Sequence, residues 1–191
     1  YDKTNEQTSG ERMRDENGNF VTTTTPDEKD RVIVGNAQPR LTMGWDNKVT
    51  WKNWDLNLFF TGVFGQKIFN EPRAFYENPQ MVRLGKNVLT SISENQRASD
   101  PYAGKPSDRY LEDGSYFKLA TATLGYTFRN CFNGWLRDIR VYASCNNVFT
   151  ITGYSGRDPE ICLGGLEPGH DSRNDHYPRT RQFLVGATIN F

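Results

Sequence analysis

Two histidines and two aspartates lie close together near the end of the chain, and all four are side-chain types that bind metal ions. They are His170, Asp171, Asp175 and His176. Their spacing matches neither one face of a helix nor one side of a strand, so no regular element would bring the four together. We therefore interpret the histidines as solvated loop residues and predict no metal site.

An alternating pattern of acidic and amide residues near the start of the chain is similar to the beginning of a calcium-binding loop. Asp15, Asn17 and Asn19 alternate, but the glycine is Gly18 rather than the sixth loop residue, and no glutamate closes the loop at its twelfth position. The pattern is more typical of a plain turn. Because no arrangement typical of catalysis is present, we predict that the chain is not an enzyme and has no cofactor.

Aromatic and arginine side chains in the polar segments are the candidates for substrate contact. Aromatic faces stack on sugars or peptides, and arginine forms forked hydrogen bonds with carboxylates. The alternative is that these residues pack the loops against one another or against a covering protein. The candidates are Arg73, Phe75, Tyr76, Tyr102, Tyr154, Arg157 and Tyr177.

Alternation of apolar and polar residues predicts five antiparallel strands that hold these loops. The clearest is the last strand, in which every second residue is apolar: Phe183, Val185, Ala187, Ile189 and Phe191. The predicted strands are about 39–51, 54–65, 115–128, 139–149 and 181–191. Between Trp51 and Trp54 only two residues remain, which predicts a hairpin with both tryptophans on one face.

The connections alternate between long and short, and this asymmetry indicates the architecture. Residues 1–38, 66–114 and 150–180 are predicted to be long loops, with a short helix after Asn78 in the second of them. Long loops at one end of the sheet and tight turns at the other are typical of outer-membrane β-barrels. The alternative is a soluble β-sandwich, whose strands and loops are usually shorter.

Composition agrees with strands that face lipid. Aromatic residues make up 13% of the chain although its mean hydropathy is −0.74, and no apolar run reaches the ~20 residues of a membrane helix. Trp51, Trp54 and Phe128 lie at the short-turn end, where a barrel has a periplasmic girdle of aromatic residues. A formal net charge of +0 gives no reason to expect nucleic acid as a partner.

Five strands cannot close a barrel, because the smallest barrels need ~8. Open strand edges in lipid would leave backbone groups without hydrogen bonds, at several kcal/mol each. We therefore expect the chain to be the C-terminal part of a larger barrel. The terminal strand, from Phe183 to Phe191, is then predicted to carry the signal for barrel assembly.

Five segments of the sequence resemble, in order and with similar spacing, the C-terminal end of the SusC/RagA-type TonB-dependent transporters of Bacteroidetes. The resemblance runs from about Asp15 to Phe191. The segments are DRVIVGNAQPRLTMGW, WDLNLFFTGVFGQKIFN, SDRYLEDGSYFKLATATLGYTF, IRVYASCNNVFTITGYSGRDPE and YPRTRQFLVGATINF.

The resemblance implies an all-β fold, with these strands as the last five of a 22-stranded transmembrane barrel that surrounds an N-terminal plug. It implies a location in the outer membrane, with the long loops extracellular and the C-terminus periplasmic. The implied partners are the rest of the barrel and its plug, a SusD-like lipoprotein lid, membrane lipid, and the TonB complex through a segment outside this sequence. Polar residues of the inner face could touch the plug, or they could form a wetted barrel wall: Asp46, Lys48, Asp55 and Asn57.

Two functions from different classes follow. The first is uptake of oligosaccharides or oligopeptides by a TonB-dependent importer, with no covalent chemistry. The second is a soluble extracellular glycan-binding β-module, which would fold without detergent. An autonomous passive porin is disfavoured by the number of strands alone.

Overall fold

A computed structural model describes residues 4–5, 11–23, 25, 30–94, 104–131, 136–163, 168–172 and 177–190. The chain divides into two compact units, residues 1–35 and 36–191. In the first unit, strands β1 (Thr4–Asn5) and β2 (Glu11–Arg12) pair antiparallel. Within the described ranges, no helix has the length and apolar character needed to cross a membrane.

Five long strands of the second unit form one antiparallel sheet, as the alternation predicted. They are β3 (Leu41–Trp51), β4 (Trp54–Phe64), β7 (Tyr116–Cys131), β8 (Leu136–Thr152) and β10 (Gln182–Asn190). Their order across the sheet is β10-β8-β7-β4-β3, so strands β3 and β10 form its two edges. The sheet does not close on itself among the described residues.

Strands β3 and β4 meet in the predicted two-residue hairpin. Trp51 pairs directly with Trp54, and Lys52 between them adopts a positive φ of 57°. The carbonyl of Asn53 accepts a hydrogen bond from the amide of Thr127, which extends the turn's contacts to β7. A positive φ at the first turn residue matches the right-handed twist of the two strands, so the hairpin keeps its register.

Strands β7 and β8 extend beyond their predicted ends. Arg129 pairs with Asp138, and Cys131 pairs with Leu136. The ladder therefore continues through residues that the hydrophobic pattern predicted to be a turn. Opposite charges directly across an antiparallel pair stabilise it, which explains how polar residues sustain the ladder here. The connection is thereby reduced to residues 132–135, which lie outside the described residues.

A β-bulge interrupts β7 near its start, where the sequence pattern changes parity. Phe59 pairs with Thr121 and Phe60 with Leu119, so Ala120 is the extra residue on β7. The bulge places Phe117 on the same face as Phe60, and their rings stack at 5.5 Å between centroids. One continuous apolar face therefore survives the change of parity.

The long connection between β4 and β7 contains more structure than predicted. Strand β5 (Lys67–Asn70) leads into helix α1 (Glu71–Tyr76), followed by α2 (Gln80–Arg83), α3 (Ser91–Glu94), a 3₁₀ turn at Asp108–Tyr110 and strand β6 (Leu111–Asp113). A second 3₁₀ turn, Pro159–Cys162, and strand β9 (His170–Asp171) lie in the connection between β8 and β10.

A short helix begins after Asn78, as predicted, but α2 ends after one turn, before the apolar spacing does. Gly85 has a positive φ of 69°, and its amide bonds the carbonyl of Val82 while the amide of Lys86 bonds that of Met81. This pair of bonds is a Schellman motif with glycine at the position that requires a left-handed backbone. The glycine therefore stops the helix although apolar spacing continues beyond it.

Most of the buried apolar residues among those described lie at the long-loop end, although Leu136 is buried at the opposite end of β8. Ile68 and Tyr110 are buried in the loops, and Val63 and Tyr116 are buried where the strands enter them. Most large apolar side chains of the five strands are exposed instead. In a water-soluble sheet such side chains would face a core, whereas here they face outward.

Candidate functional site

A small sheet organises the long loops above the strand ends. Strand β5 pairs antiparallel with β6 on one side and parallel with β9 on the other. This brings together three stretches that are far apart in sequence, at the end of the large sheet where β4 and β8 end and β7 begins. The loops at this end are therefore a folded structure, which holds its side chains in fixed positions.

Glu112 is the centre of a hydrogen-bonded cluster that joins β6, α1 and the segment after β8. Its carboxylate accepts from Arg73 (2.9 Å), from Asn70 (3.2 Å), and from both the amide and the hydroxyl of Ser155 (2.8 Å each). Asn70 also caps α1 by accepting the amide of Arg73. Arg73 forms a second ion pair with Glu77 at 3.1 Å. Arg73 is thus committed to carboxylates within the loops.

The pKa of Glu112 lies below its ordinary value, although burial opposes this, because hydrogen bonds from Ser155, Arg73 and Asn70 favour the ionised form. A lowered folded-state pKa stabilises the cluster above the unfolded-state pKa, and this contribution disappears as the pH falls through the folded-state value. The pKa of Asp113 is lowered as well, by hydrogen bonds from Ser115.

We expect the small sheet to open more readily at acidic pH, below the ordinary glutamate pKa of 4.5. Hydrogen exchange of the amides of 68–70 and 111–113, corrected for intrinsic rates, should show protection falling as the pH is lowered. Glu112→Gln should weaken this dependence and leave the part contributed by Asp113. An identical pH profile in the Gln variant would contradict the assignment to Glu112.

Tyr154, Arg157 and Asp171 form a second cluster, on the segment after β8 and on β9. The Tyr154 hydroxyl donates to one oxygen of the fully buried Asp171 carboxylate at 2.7 Å, and Arg157 donates to the other at 3.0 Å. Arg157 also donates to the carbonyl of Ser172. Tyr154 and Arg157 therefore bind the segment after β8 to strand β9.

The predicted substrate-contact residues divide into two groups in the structure. Arg73, Tyr154 and Arg157 belong to the Glu112 and Asp171 clusters, and the Tyr154 ring is only 6% exposed. Phe75 is half-buried and contacts Tyr76 edge-to-face at 5.2 Å. Tyr76 and Tyr177 are exposed, and Tyr177 most of all at 81%. Tyr102 lies outside the described residues.

The two candidate metal-binding patterns fall in loops with other contacts. His170 faces Glu71 at 3.1 Å, whereas Asp175 and His176 lie outside the described residues. Asp15 accepts the amides of Asn17 and Asn19, and the Asn19 amide is the main reason why the pKa of Asp15 lies below its usual value. In the part of the chain that the structure describes, no group of three or more His, Cys, Asp or Glu residues could hold a metal ion.

One face of the large sheet, here called the polar face, carries an ion pair that crosses β7. Arg140 on β8 donates to both oxygens of Asp55 on β4, at 2.9 and 2.5 Å. Gly125 on β7 lies beneath the pair, where a Cβ atom would come within 2.7 Å of both side chains. Thr123 and Ser144 hydrogen-bond on the same face at 2.8 Å. Three adjacent strands are therefore linked by polar side chains.

The opposite face, here called the apolar face, is a continuous field of exposed aliphatic and aromatic side chains. Trp54 and Phe128 both contact the ring of Tyr126 edge-to-face at 4.7 Å, next to Trp51. A second aromatic group, which the sequence pattern did not single out, lies nearer the long loops and stacks Trp45 on Phe60 and Phe60 on Phe117. The apolar face therefore has aromatic rings toward both ends.

Aliphatic side chains fill the space between the two aromatic groups. One row across all five strands joins Val49, Leu56, Leu124, Ala143 and Val185 through consecutive pairings. On the last strand Phe183, Val185, Ala187 and Ile189 are all exposed, and Phe191 lies outside the described residues. An apolar band with aromatic rings at both edges has the anatomy of a lipid-facing barrel wall.

Sequence reasoning missed four polar residues with defined roles, Asn70, Glu112, Lys118 and Glu160, and it considered Asp171 only as a metal ligand. For Asn70 a signal was present, because asparagine followed by Glu71 and Pro72 is a typical helix start. The other four carry no local signal, since each acquires its partner from a distant segment: Arg73 for Glu112, Tyr154 for Asp171, and Lys118 and Glu160 for one another.

Comparisons with known proteins agree on one family of receptors, although no family model matches the sequence. The chain is 30% identical to the TonB-dependent receptor P3 of Formosa agariphila over 95% of its length. It is 27% identical to the TonB-dependent receptor SusC of Bacteroides thetaiotaomicron over 93%. These alignments cover 19% and 17% of the two relatives, so the chain spans about a fifth of their length.

Solved structures give the same result for the fold. A structure of the RagAB peptide transporter matches 93% of this chain and 20% of its own, with a TM-score of 0.72 and 26% identity. The closed-closed state of the RagAB peptide importer matches all of this chain with a TM-score of 0.74. The resemblance found in the sequence is thereby confirmed: the chain is related, over nearly its whole length, to the TonB-dependent receptors of the SusC/RagA type.

Proposed function

We propose that the chain forms part of the wall and mouth of an outer-membrane importer that takes up oligosaccharides or oligopeptides together with a SusD-like surface lipoprotein. The observation that carries this proposal is the exposed apolar face, five strands wide, on a sheet whose opposite face is linked by polar side chains. The chain itself would perform no covalent chemistry. It would provide a wall between lipid and a wet passage.

Exposure of the apolar face supports a membrane location. Trp51, Val49, Phe183 and Val185 are each more than half exposed, and soluble monomers rarely leave a contiguous apolar surface this large in water. Hydrocarbon tails would cover the aliphatic rows, and the aromatic groups would lie at the two interfaces. Trp51, Trp54 and Phe128 would then form the periplasmic girdle, and the last strand would present the assembly signal.

The open edges of the sheet support a larger barrel. Within the described residues, β3 and β10 each have a hydrogen-bonded neighbouring strand on one side only, and an unpaired strand edge is costly in lipid. Further strands of the same protein would pair with both edges, and a plug would fill the lumen against the polar face. The TonB complex would act through that plug. The RagAB peptide transporter, which is 26% identical to this chain, supports oligopeptides as one of the two proposed substrate classes.

The position of the long loops supports an extracellular mouth. The small sheet and its connections lie at one end of the large sheet, and the two-residue turn lies at the other. We propose that residues 1–38 and the loops 66–114 and 150–180 face the exterior, with the C-terminus in the periplasm. Tyr76 and Tyr177 are then the best-exposed candidates for substrate contact among those predicted.

The full-length protein that contains this chain should be recovered from outer membranes in detergent. We expect its native mass to include a complete barrel and one surface lipoprotein, because a five-stranded sheet with open edges is not a stable membrane unit. Fractionation of tagged protein followed by native mass spectrometry would test this, with a soluble periplasmic protein as the fractionation control. Recovery as a folded, detergent-free monomer would contradict the proposal and favour the soluble glycan-binding module.

A further inference from the structure

At the long-loop end, side chains on the polar face are buried although nothing in the sheet covers them. Val63, Tyr116 and Lys118 are 3%, 3% and 4% exposed. Val63 pairs with Tyr116, and Lys118 pairs with Thr61, so all three share the face that carries Asp55. Farther down the same face, Asp55 and Arg140 remain partly exposed. Some part of the loops must therefore lie over the upper polar face.

The described parts of the connection between β8 and β10, residues 153–163, 168–172 and 177–181, are here called the last loop, and its residues 158–160 lie at Lys118 on this face. Glu160, in the 3₁₀ turn Pro159–Cys162, accepts a hydrogen bond from the buried Lys118 ammonium at 2.5 Å. Asp158 starts that turn by accepting the amide of Glu160, and Pro159 is itself buried. A buried ammonium requires a counter-charge, so the position of Glu160 over the polar face is strongly favoured.

The returning end of the last loop is held at the same place. Arg179 approaches the second oxygen of Glu160 at 3.4 Å, and its amide donates to Asp158 at 3.3 Å. Thr180 and Arg181 then form hydrogen bonds with β8. The Asn147 side chain donates to the Thr180 carbonyl, and Arg181 donates to the Val148 carbonyl, both at 2.7 Å. Both halves of the loop are therefore fastened to the wall.

We propose that the last loop is folded inward over the polar face and latched there by the Lys118–Glu160 pair, as a fixed constriction of the passage. This rests on the proposed function, because the polar face is a passage wall only if the sheet belongs to a barrel. A solute that enters from the long-loop end would pass the last loop before it reached the Asp55–Arg140 pair. The loop would thus limit the width of the solutes admitted.

The test places a thiol on the buried part of the polar face, in the full-length protein. Val63→Cys, in a background without other reactive cysteines, is treated on intact cells with a membrane-impermeant maleimide. With the latch intact, we expect slow labelling. Adding Glu160→Gln removes the counter-charge from the loop side without altering a strand, and labelling should become at least tenfold faster. Maleimides on polyethylene glycol of increasing mass would then measure the opening.

Two further variants identify the cause. Lys118→Met should accelerate labelling as Glu160→Gln does, whereas Arg179→Gln, which removes the more exposed cation from the same carboxylate, should change it less than twofold. Equal labelling rates in all variants would overturn the latch. If Val63→Cys is labelled only after the outer membrane is disrupted, the orientation in the proposed function fails, while the rate ratio between variants still decides the latch.

Discussion

Val185→Arg is expected to prevent most of the full-length protein from assembling in the outer membrane. Val185 is 76% exposed on the apolar face, and it lies in the aliphatic row between the two aromatic groups. Arginine on the lipid face near the middle of the bilayer costs about 2–4 kcal/mol. On an edge strand that must still pair with the rest of the barrel, this cost falls on the assembly step. Heat-modifiable migration of outer-membrane protein in gels measures the folded fraction.

The neighbouring residue supplies a matched control. Leu184 is also apolar and 57% exposed, but it lies on the polar face, where it pairs with Ser144. Leu184→Arg should therefore assemble at close to the normal level. Thr188 is a less suitable control, because it pairs with Arg140 and a second arginine there would face a like charge. Equal loss of assembly in Val185→Arg and Leu184→Arg would refute the assignment of the faces.

The large sheet could be predicted because its information is local. Alternation along each strand is set by the pleat, so the face of Trp51, Trp54 and Phe128 could be derived from parity alone. The two-residue turn between the tryptophans determines how β3 pairs with β4, because so short a connection permits a single register. The bulge at Ala120 is also visible in the sequence, because Phe117 and Leu119 have the opposite parity to Leu124.

The small sheet could not be predicted because its information is not local. Strand β9 has two residues and β6 has three, which is too short for a hydrophobic period to be visible. Both strands pair with β5 although they are distant from it in the sequence. Their pairing depends on Glu112 and Asp171 finding partners in other segments. Arg73, Tyr154 and Arg157 could be recognised from the sequence as loop residues. The sequence did not show that they bond to carboxylates of the same loops, because those carboxylates lie in distant segments.

The end of α2 is an intermediate case. The prediction of a short helix depends on Asn78 and Pro79 as its start and on apolar spacing from Met81 to Ile92, and that spacing would continue the helix beyond Arg83. Gly85, however, is a local signal of equal strength, because glycine costs about 1 kcal/mol inside a helix and is the preferred residue just after its end. The two signals conflict within one segment, and the helix ends at the glycine, whose left-handed backbone closes the Schellman motif.

Gly169→Ala is expected to release β9 from the small sheet. Gly169 has a φ of 78°, and a Cβ atom there would lie 2.8 Å from the Lys67 carbonyl oxygen and 2.5 Å from Ala37. Positive φ costs a non-glycine residue about 1–2 kcal/mol, and overpacking against backbone adds about 1–3 kcal/mol. The Gly169 carbonyl accepts the Phe69 amide, so that amide reports the loss directly. A total near 3 kcal/mol corresponds to exchange about 100-fold faster.

Gly85→Ala separates the two contributions, because Gly85 has a similar positive φ of 69° but open space around its Cβ position. It should carry the backbone strain alone and leave the Phe69 amide protected, while the turn after α2 loosens. If Gly169→Ala left the Phe69 amide as protected as Gly85→Ala does, the close packing of Gly169 against Lys67 and Ala37 would not be what holds β9 in register. Strand β9 would then be held by the hydrogen bonds of Asp171 and the contact of His170 with Glu71.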